Sequence, residues 1–244
     1  MIDISKPAQR PANPRFSSGP CAKYPSFNLQ QLESAPLGRS HRAAVGKDKL
    51  KAAIEETREL LGVPMDYHIG IVPASDTGAV EMAMWSLLGA RPVTMVAWES
   101  FGAGWVTDVV KQLKLDATVQ TAEYGEIVDM AALDYDTDVV FTWNGTTAGV
   151  RMPSGDAIPA NRAGLTICDA TSAAFAQDLP WDKLDVTTFS WQKVLWRSRP
   201  RHADPQPAGC RTAGKLYACL ADAQDFPSYQ RRQAYRRHFP WRDN

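Results

Sequence analysis

Lys193, at the end of the apolar run VTTFSWQK, is the residue of this chain whose surroundings first suggest chemistry. An amine at the carboxyl end of an inner strand is partly desolvated, which loosens its proton and makes it a Schiff-base former. Asp169 closes a second such run, LTICDATSAAF. A carboxylate entering a Thr/Ser/Ala-rich turn can pair with a pyridine nitrogen and keep that ring protonated, so that the ring accepts carbanion charge. Ser75-Asp76-Thr77-Gly78 lies between a strand-like run and an apolar helix pattern, where free amides and a hydroxyl form a phosphate cradle. The carboxylate of Asp76 opposes a dianion, so backbone amides and Thr77 are the expected binders there. Trp105, in ESFGAGWVTDVV, can stack on a planar ring. His41 and Arg42, in GRSHRAAVG, offer an imidazole and a guanidinium fork to a carboxylate or phosphate. Taken singly, each has an ordinary structural explanation: a solvated lysine, a helix-capping acid, a core tryptophan. Their value lies in occurring together.

The elements that must position these residues alternate. Gly46–Gly62 carries apolar residues at helical spacing and closes on a glycine. His68–Val72 is a short apolar run, followed by a helix pattern in PASDTGAVEMAMWSLLG. Val93–Ala97 predicts a strand and Trp105–Leu115 a helix, and Asp138–Trp143, Leu165–Cys168 and Val186–Trp191 predict further strands. Strands alternating with helices imply a mainly parallel α/β sheet covered on both faces. In such sheets ligands bind beyond the carboxyl ends of the strands. The polar residues following the runs are Ser75–Thr77, Trp105, Asn144–Thr147, Asp169–Ser172 and Gln192–Lys193.

Composition sets the limits. The 244 residues are 44% hydrophobic, enough for a substantial core, and 27 basic residues balance 27 acidic ones. No overall field favours nucleic acid or membrane, and no run has membrane-spanning length. The four cysteines have neither metal nor disulfide spacing, so no metal site and a reduced, cytoplasmic setting are expected. Residues 1–30 are Pro- and Ser-rich and read as an extended arm. The stretch Arg197–Asn244 holds ten Lys/Arg against four Asp/Glu and no Val, Ile or Met, which is foreign to the α/β pattern before it.

The segments FSSGPCAKYP, GRSHR, PASDTGAVEMAMWSLLG, ESFGAGW, WNGTTAGVRMP, CDATSAAFA and FSWQKVL, in this order, resemble the phosphoserine aminotransferase family. The resemblance runs from about Arg15 to Leu195. It implies the aspartate aminotransferase-like fold of pyridoxal-phosphate enzymes (fold type I, class V), with residues 31–195 as the large cofactor-binding domain. By it, Lys193 is the Schiff-base lysine and proton shuttle, Asp169 pairs with the pyridinium nitrogen, and Trp105 stacks on the ring. Asp76 and Thr77 match the phosphate loop, Thr146 the neighbourhood of the ring hydroxyl, and Gln192 a further phosphate-side contact. Arg42, with His41 beside it, matches the anchor for the substrate's distal acid group. The implied cofactor is pyridoxal 5'-phosphate. The implied reaction moves the amino group of L-glutamate to 3-phosphohydroxypyruvate, giving O-phospho-L-serine and 2-oxoglutarate in serine biosynthesis, and in some bacteria serves pyridoxine synthesis. Family members are homodimers, with a second arginine anchor far downstream.

The pattern breaks after FSWQKVL. The family continues into a Gly-Gly-Glu-Ala-Ala-like turn and an apolar strand, whereas this chain reads WRSRPRHADPQPAGCRTAGKL. Reading from the second base of the Trp196 codon, the codons permit Glu-Ala-Ala-Arg-Gly-Met-Leu-Ile-Leu-Ser-Pro-Arg-Ala-Val-Glu-Arg-Leu-Glu across Arg197–Gly214, the family's continuation. Residues 196–244 are therefore expected to be an out-of-frame, disordered tail, and the small C-terminal domain to be missing. Loss of the strand after Lys193 would leave an open sheet edge, with little transaminase activity. Two other readings compete. A different fold-type-I aminotransferase or a cysteine desulfurase is one, although Cys168 sits inside a strand where no nucleophile belongs. A non-enzymatic fragment whose basic tail (YQRRQAYRRHFPW) contacts nucleic acid is the other.

Overall fold

The computed structural model describes Gln9, residues 28–72 and 75–193, and the backbone of residues 216–220. Most of the expected arm over residues 1–30 and of the expected tail over 196–244 lies outside the described residues. Leu29–Leu32 form a 3-10 turn opened by Asn28, whose side chain accepts from Gln30 N at 3.0 Å.

The first long element, α1 (Ala44–Leu61), stops at Gly62, which turns left-handed at φ 63° and caps the last carbonyls of the helix. Then follow β1 (His68–Val72), α2 (Asp76–Leu87), β2 (Val93–Ala97), α3 (Ser100–Thr107) and β3 (Ala117–Thr121). They are succeeded by β4 (Asp138–Thr142), a small hairpin of β5 (Asn144–Gly145) and β6 (Val150–Arg151), β7 (Thr166–Asp169), β8 (Val186–Ser190) and β9 (Leu216–Leu220). The main sheet has the order β1-β9-β8-β7-β4-β2-β3, parallel throughout except for β9.

Every residue of β2, β4 and β8 is buried. Unbroken apolar runs are what a parallel sheet needs when both of its faces are covered. Alternation along the strands divides the core in two. Val96, Val139, Phe141, Cys168 and Phe189 join one apolar cluster, while Met95, Val140, Ile167 and Val186 join another that includes Val80, Ala83 and Met84 of α2.

Three elements differ from expectation. The sequence showed no strand at β3, whose ATVQT is mostly exposed on a sheet edge and lacks the apolar density of the inner strands. The helix expected over Trp105–Leu115 starts earlier, at Ser100, because the Glu99 side chain accepts from Gly102 N at 2.8 Å and caps it. It passes into a π-helical turn over Asp108–Gln112. The third difference corrects the expected open edge and wholly unstructured tail: β9 lies between β8 and β1, antiparallel to both. LYACL holds the only aliphatic branched residues of the tail beyond Arg197, Leu216 and Leu220. Strand pairing is made by backbone groups, so two unpaired edges can take up a short apolar run whatever its origin.

Candidate active site

At one edge of the sheet β2, β4, β7 and β8 end together, at Ala97, Thr142, Asp169 and Ser190. Thr142, Asp169 and Thr188 are direct partners across three adjacent strands. They share a face with Val140, Ile167 and Val186, two residues earlier in each strand, and this is the face on which α2 packs. The backbone around Asp169 is held on both sides. Trp143 N–H donates to the Asp169 carbonyl at 2.8 Å, and Ala170 N–H donates to the Thr188 carbonyl at 2.8 Å. The Asp169 carboxylate itself accepts from Thr171 N at 3.0 Å.

Hydroxyl groups tie the surrounding loops together. Thr146 Oγ1 meets Ser172 Oγ at 2.8 Å, joining the β5 hairpin to the turn after β7. Thr147 Oγ1 donates to Glu99 Oε2 at 3.0 Å and accepts from Ser100 N at 3.2 Å, joining the same hairpin to the start of α3. Gly145 allows this approach: a Cβ there would lie 2.7 Å from Trp98 Cδ1 and 2.6 Å from Val150 Cγ2.

Asp76 occupies the first turn of α2 but does not act as a cap. It is 8% exposed, and neither carboxylate oxygen has a hydrogen-bond partner. Burial, and then the nearby Asp169 carboxylate, push its acid well above the ordinary value of 3.8, while the side chains of Thr171 and Thr188 pull the other way. The hydroxyls of Thr142, Thr171, Thr188 and Ser190 are buried in the same quarter, also without partners. Native interiors rarely leave so many polar atoms unsatisfied in one place, and such clusters mark ligand sites. An acid at the end of β7 among unpaired hydroxyls fits the ring nitrogen of a bound heteroaromatic. Cys168 faces the opposite cluster, fully buried, with its thiol held far up by burial. It has no nucleophilic character.

Not every expected residue falls here. Thr77 is exposed in the first turn of α2, Gln192 is exposed, and Lys193 is half-buried three residues beyond the end of β8. His41 and Arg42 are exposed in the turn before α1, where Arg42 N–H donates to Ser40 Oγ at 3.1 Å. Trp105 is a correction. It is 5% exposed and belongs to the core cluster of Val80, Met84 and Val109, leaving no ring face for a ligand. The earlier start of α3 puts it in the second turn, below the edge. Two exposed aromatics lie at the edge: Phe101, in the first turn, 52% exposed and beside the Ser100 that bonds Thr147, and Tyr124, whose hydroxyl lies 3.3 Å from Thr147 Oγ1. An aromatic just after an N-capping glutamate was the signal for Phe101 in the sequence.

Among the described residues, no three His, Cys, Asp or Glu side chains group as a metal site, and no helix is long and apolar enough to cross a membrane.

The architecture is that of the aminotransferases. A phosphoserine aminotransferase from Cytophaga hutchinsonii superposes with a TM-score of 0.67 at 23% identity, over 84% of this chain and 55% of that one. A pyridoxal-phosphate-bound phosphoserine aminotransferase from Trichomonas vaginalis gives 0.62 at 17%, over 91% and 67%. Sequence narrows the class. The phosphoserine aminotransferase of Methanosarcina barkeri is 61% identical over 191 residues, 78% of this chain and 52% of that protein. Along that segment this chain is similar to phosphoserine aminotransferases. It spans about half the length of the curated relatives it matches. No family model matches it.

Proposed function

We propose that this chain carries the cofactor-binding half-site of a phosphoserine transaminase, which moves an amino group from L-glutamate to 3-phosphohydroxypyruvate. The observation that carries this reading is the buried, unpartnered polar cluster around Asp169, with Lys193 following the adjacent strand, in a chain of this family's sequence.

Pyridoxal phosphate, when bound, supplies an electron sink for the charge left on the substrate's α-carbon. Lys193 would hold it covalently through Nζ and, once displaced by substrate, carry the α-proton at that nitrogen. Asp169 would face the ring nitrogen, fixed by its bond from Thr171 N and by the paired strands on either side. Thr146 would stand beside the ring oxygen, and Phe101, in place of Trp105, would cover a ring face and exclude water. The amides at the start of α2, with Thr77 and Gln192, would hold the phosphate. Asp76 is set apart from this group, because its carboxyl is buried and an acid offers no attraction to a dianion. Arg42 and His41 would anchor the distal anion shared by glutamate and the phosphorylated substrate. A cytoplasmic homodimer is the assembly this reading takes from the family. Residues 196–244 we read as out-of-frame; resequencing the DNA around codon 195 and finding no insertion or deletion relative to close relatives would refute that.

The direct test adds pyridoxal phosphate to the purified 244-residue chain and records its absorbance. A long-wavelength band absent from the free cofactor is expected, and Lys193→Ala should abolish it. Identical spectra with and without Lys193 would overturn the assignment.

A further inference from the structure

Glu99 follows the end of β2 and is 3% exposed, yet both of its carboxylate oxygens are used. Oε1 accepts from Gly102 N at 2.8 Å, and Oε2 accepts from Thr147 Oγ1 at 3.0 Å. The first bond caps α3, a task that Ser, Thr, Asp or Asn ordinarily performs. Those shorter side chains reach the helix amides but stop short of a second loop. The extra methylene of glutamate lets one residue cap the helix and hold the β5–β6 hairpin as well.

What each bond holds is specific. The N–H taken by Oε1 belongs to the peptide between Phe101 and Gly102, so it fixes the backbone of Phe101 itself. Gly102 is pressed against the strand end, where a Cβ on it would lie 3.2 Å from Ala97 Cα. The hydroxyl taken by Oε2 belongs to the neighbour of Thr146, whose own Oγ1 meets Ser172 Oγ at 2.8 Å. Thr147 has a single proton, and it is committed to Glu99. Its oxygen therefore accepts, from Ser100 N at 3.2 Å and from one hydroxyl, Ser100 Oγ at 3.1 Å or Tyr124 Oη at 3.3 Å. Tyr124 arrives from a third loop, the turn after β3, closed by Glu126 N on the Glu123 carbonyl at 3.0 Å. One buried carboxylate organises the loops that follow β2, β3 and β4.

From this arrangement we infer that Glu99 is a positioning residue for the site. Through Gly102 it sets Phe101, and through Thr147 it sets Thr146, two side chains that the cofactor reading above puts against the same ring. The inference rests on that reading for its purpose. The carboxylate itself touches no ligand, since both of its oxygens are already held by the protein. Losing the Thr147 arm frees the hairpin but not the helix, so helix capping and cofactor positioning are separable.

The test uses the full chain. Thr147→Val removes the hydroxyl from an exposed residue and leaves the Gly102 cap in place, while Thr147→Ser retains the hydroxyl. Pyridoxal phosphate affinity, followed by the long-wavelength band, should fall about ten-fold in Thr147→Val, the usual worth of a hydrogen bond to a charged group. It should return in Thr147→Ser. At saturating cofactor the circular dichroism of that band should weaken in Thr147→Val, because a loosened hairpin holds the ring less firmly. Glu99→Asp keeps a good cap but draws back from Thr147, so it should lose about as much, and the double variant no more than either single one. Wild-type affinity in Thr147→Val, no recovery in Thr147→Ser, or additive losses in the double variant each overturn the proposal. Amide hydrogen exchange without cofactor separates this from failure of the cofactor reading. The Ser100 amide should exchange about ten-fold faster in Thr147→Val and in Glu99→Asp, while Gly102 keeps its protection. That result in a chain with no Lys193-dependent band supports the clasp and overturns the cofactor reading, whereas unchanged exchange at Ser100 overturns the clasp.

Discussion

The amino and carboxyl ends of the same strands treat their acids in opposite ways. At the amino end, Asp138 opens β4 fully buried, accepts from Leu165 N at 2.9 Å and lies 3.4 Å from Arg91. Asp185, just before β8, accepts from Arg162 at 2.9 Å, from Thr166 N at 2.8 Å and from Thr166 Oγ1 at 2.9 Å. Each of these acids has a cation and a backbone donor. At the carboxyl end Asp76 has neither, and four buried hydroxyls around it are equally unpaired. The difference separates structure from function within one sheet. Each amino-end acid has one oxygen held by both a cation and a backbone donor, although Asp138 Oδ2 stays unpaired; Asp76, with neither oxygen held, is the acid left for something else.

The largest effect should come from two aromatics on one helix. Trp105→Ala removes a buried core ring and should cost about 3–5 kcal/mol of stability, read by urea unfolding. Phe101→Ala, one turn nearer the edge, should leave unfolding within about 0.5 kcal/mol but weaken pyridoxal phosphate binding about ten-fold, in the range of an aromatic contact. Should Phe101→Ala unfold the protein while Trp105→Ala spares the fold and loses cofactor, the edge has been drawn in the wrong place.

Next in size is the amino-end acid. Asp138→Ala strands the Leu165 amide and the Arg91 guanidinium, and should cost about 3 kcal/mol. Cofactor affinity per folded molecule should be unchanged, since Asp138 lies at the far end of β4 from Thr142. A selective loss of binding without loss of stability would erase the contrast between the two ends.

What was legible in the sequence follows the same division. The inner strands could be read because burial on both faces forces unbroken apolar runs, and Val93–Ala97 appeared with its observed bounds. Asp169 and Lys193 stood out because each ends such a run. Edge strand β3 could not be read, because a strand exposed on its edge needs few apolar residues. Trp105 was misplaced for a local reason: the helix start depends on a side-chain cap from Glu99, and that cap moves the register of every later residue relative to the sheet edge. The burial of Asp76 without a partner was out of reach because it depends on how α2 packs over β7 and β8, which no local pattern encodes. Strand β9 was missed because backbone pairing places few demands on side chains.

The last effect is the most diagnostic, because its sign differs from that of the amino-end substitution. The folded protein holds the Asp76 acid well above its ordinary value of 3.8. Between that value and the folded one, the native state keeps a proton that the unfolded chain has already released. Folding therefore takes up a proton, and stability declines as pH rises through the window, by at most about 1.4 kcal/mol per pH unit for a single group. Asparagine does not titrate. Asp76→Asn should therefore flatten the stability profile from about pH 4 upward and become progressively more stable than wild type toward neutrality, measured by urea unfolding at several pH values. Removing Asp138 weakens the fold, whereas removing the charge liability of Asp76 should strengthen it. Parallel wild-type and Asp76→Asn profiles would show that the carboxyl-end acid is as well accommodated as those at the amino end, and the contrast between the two ends would then carry no functional meaning.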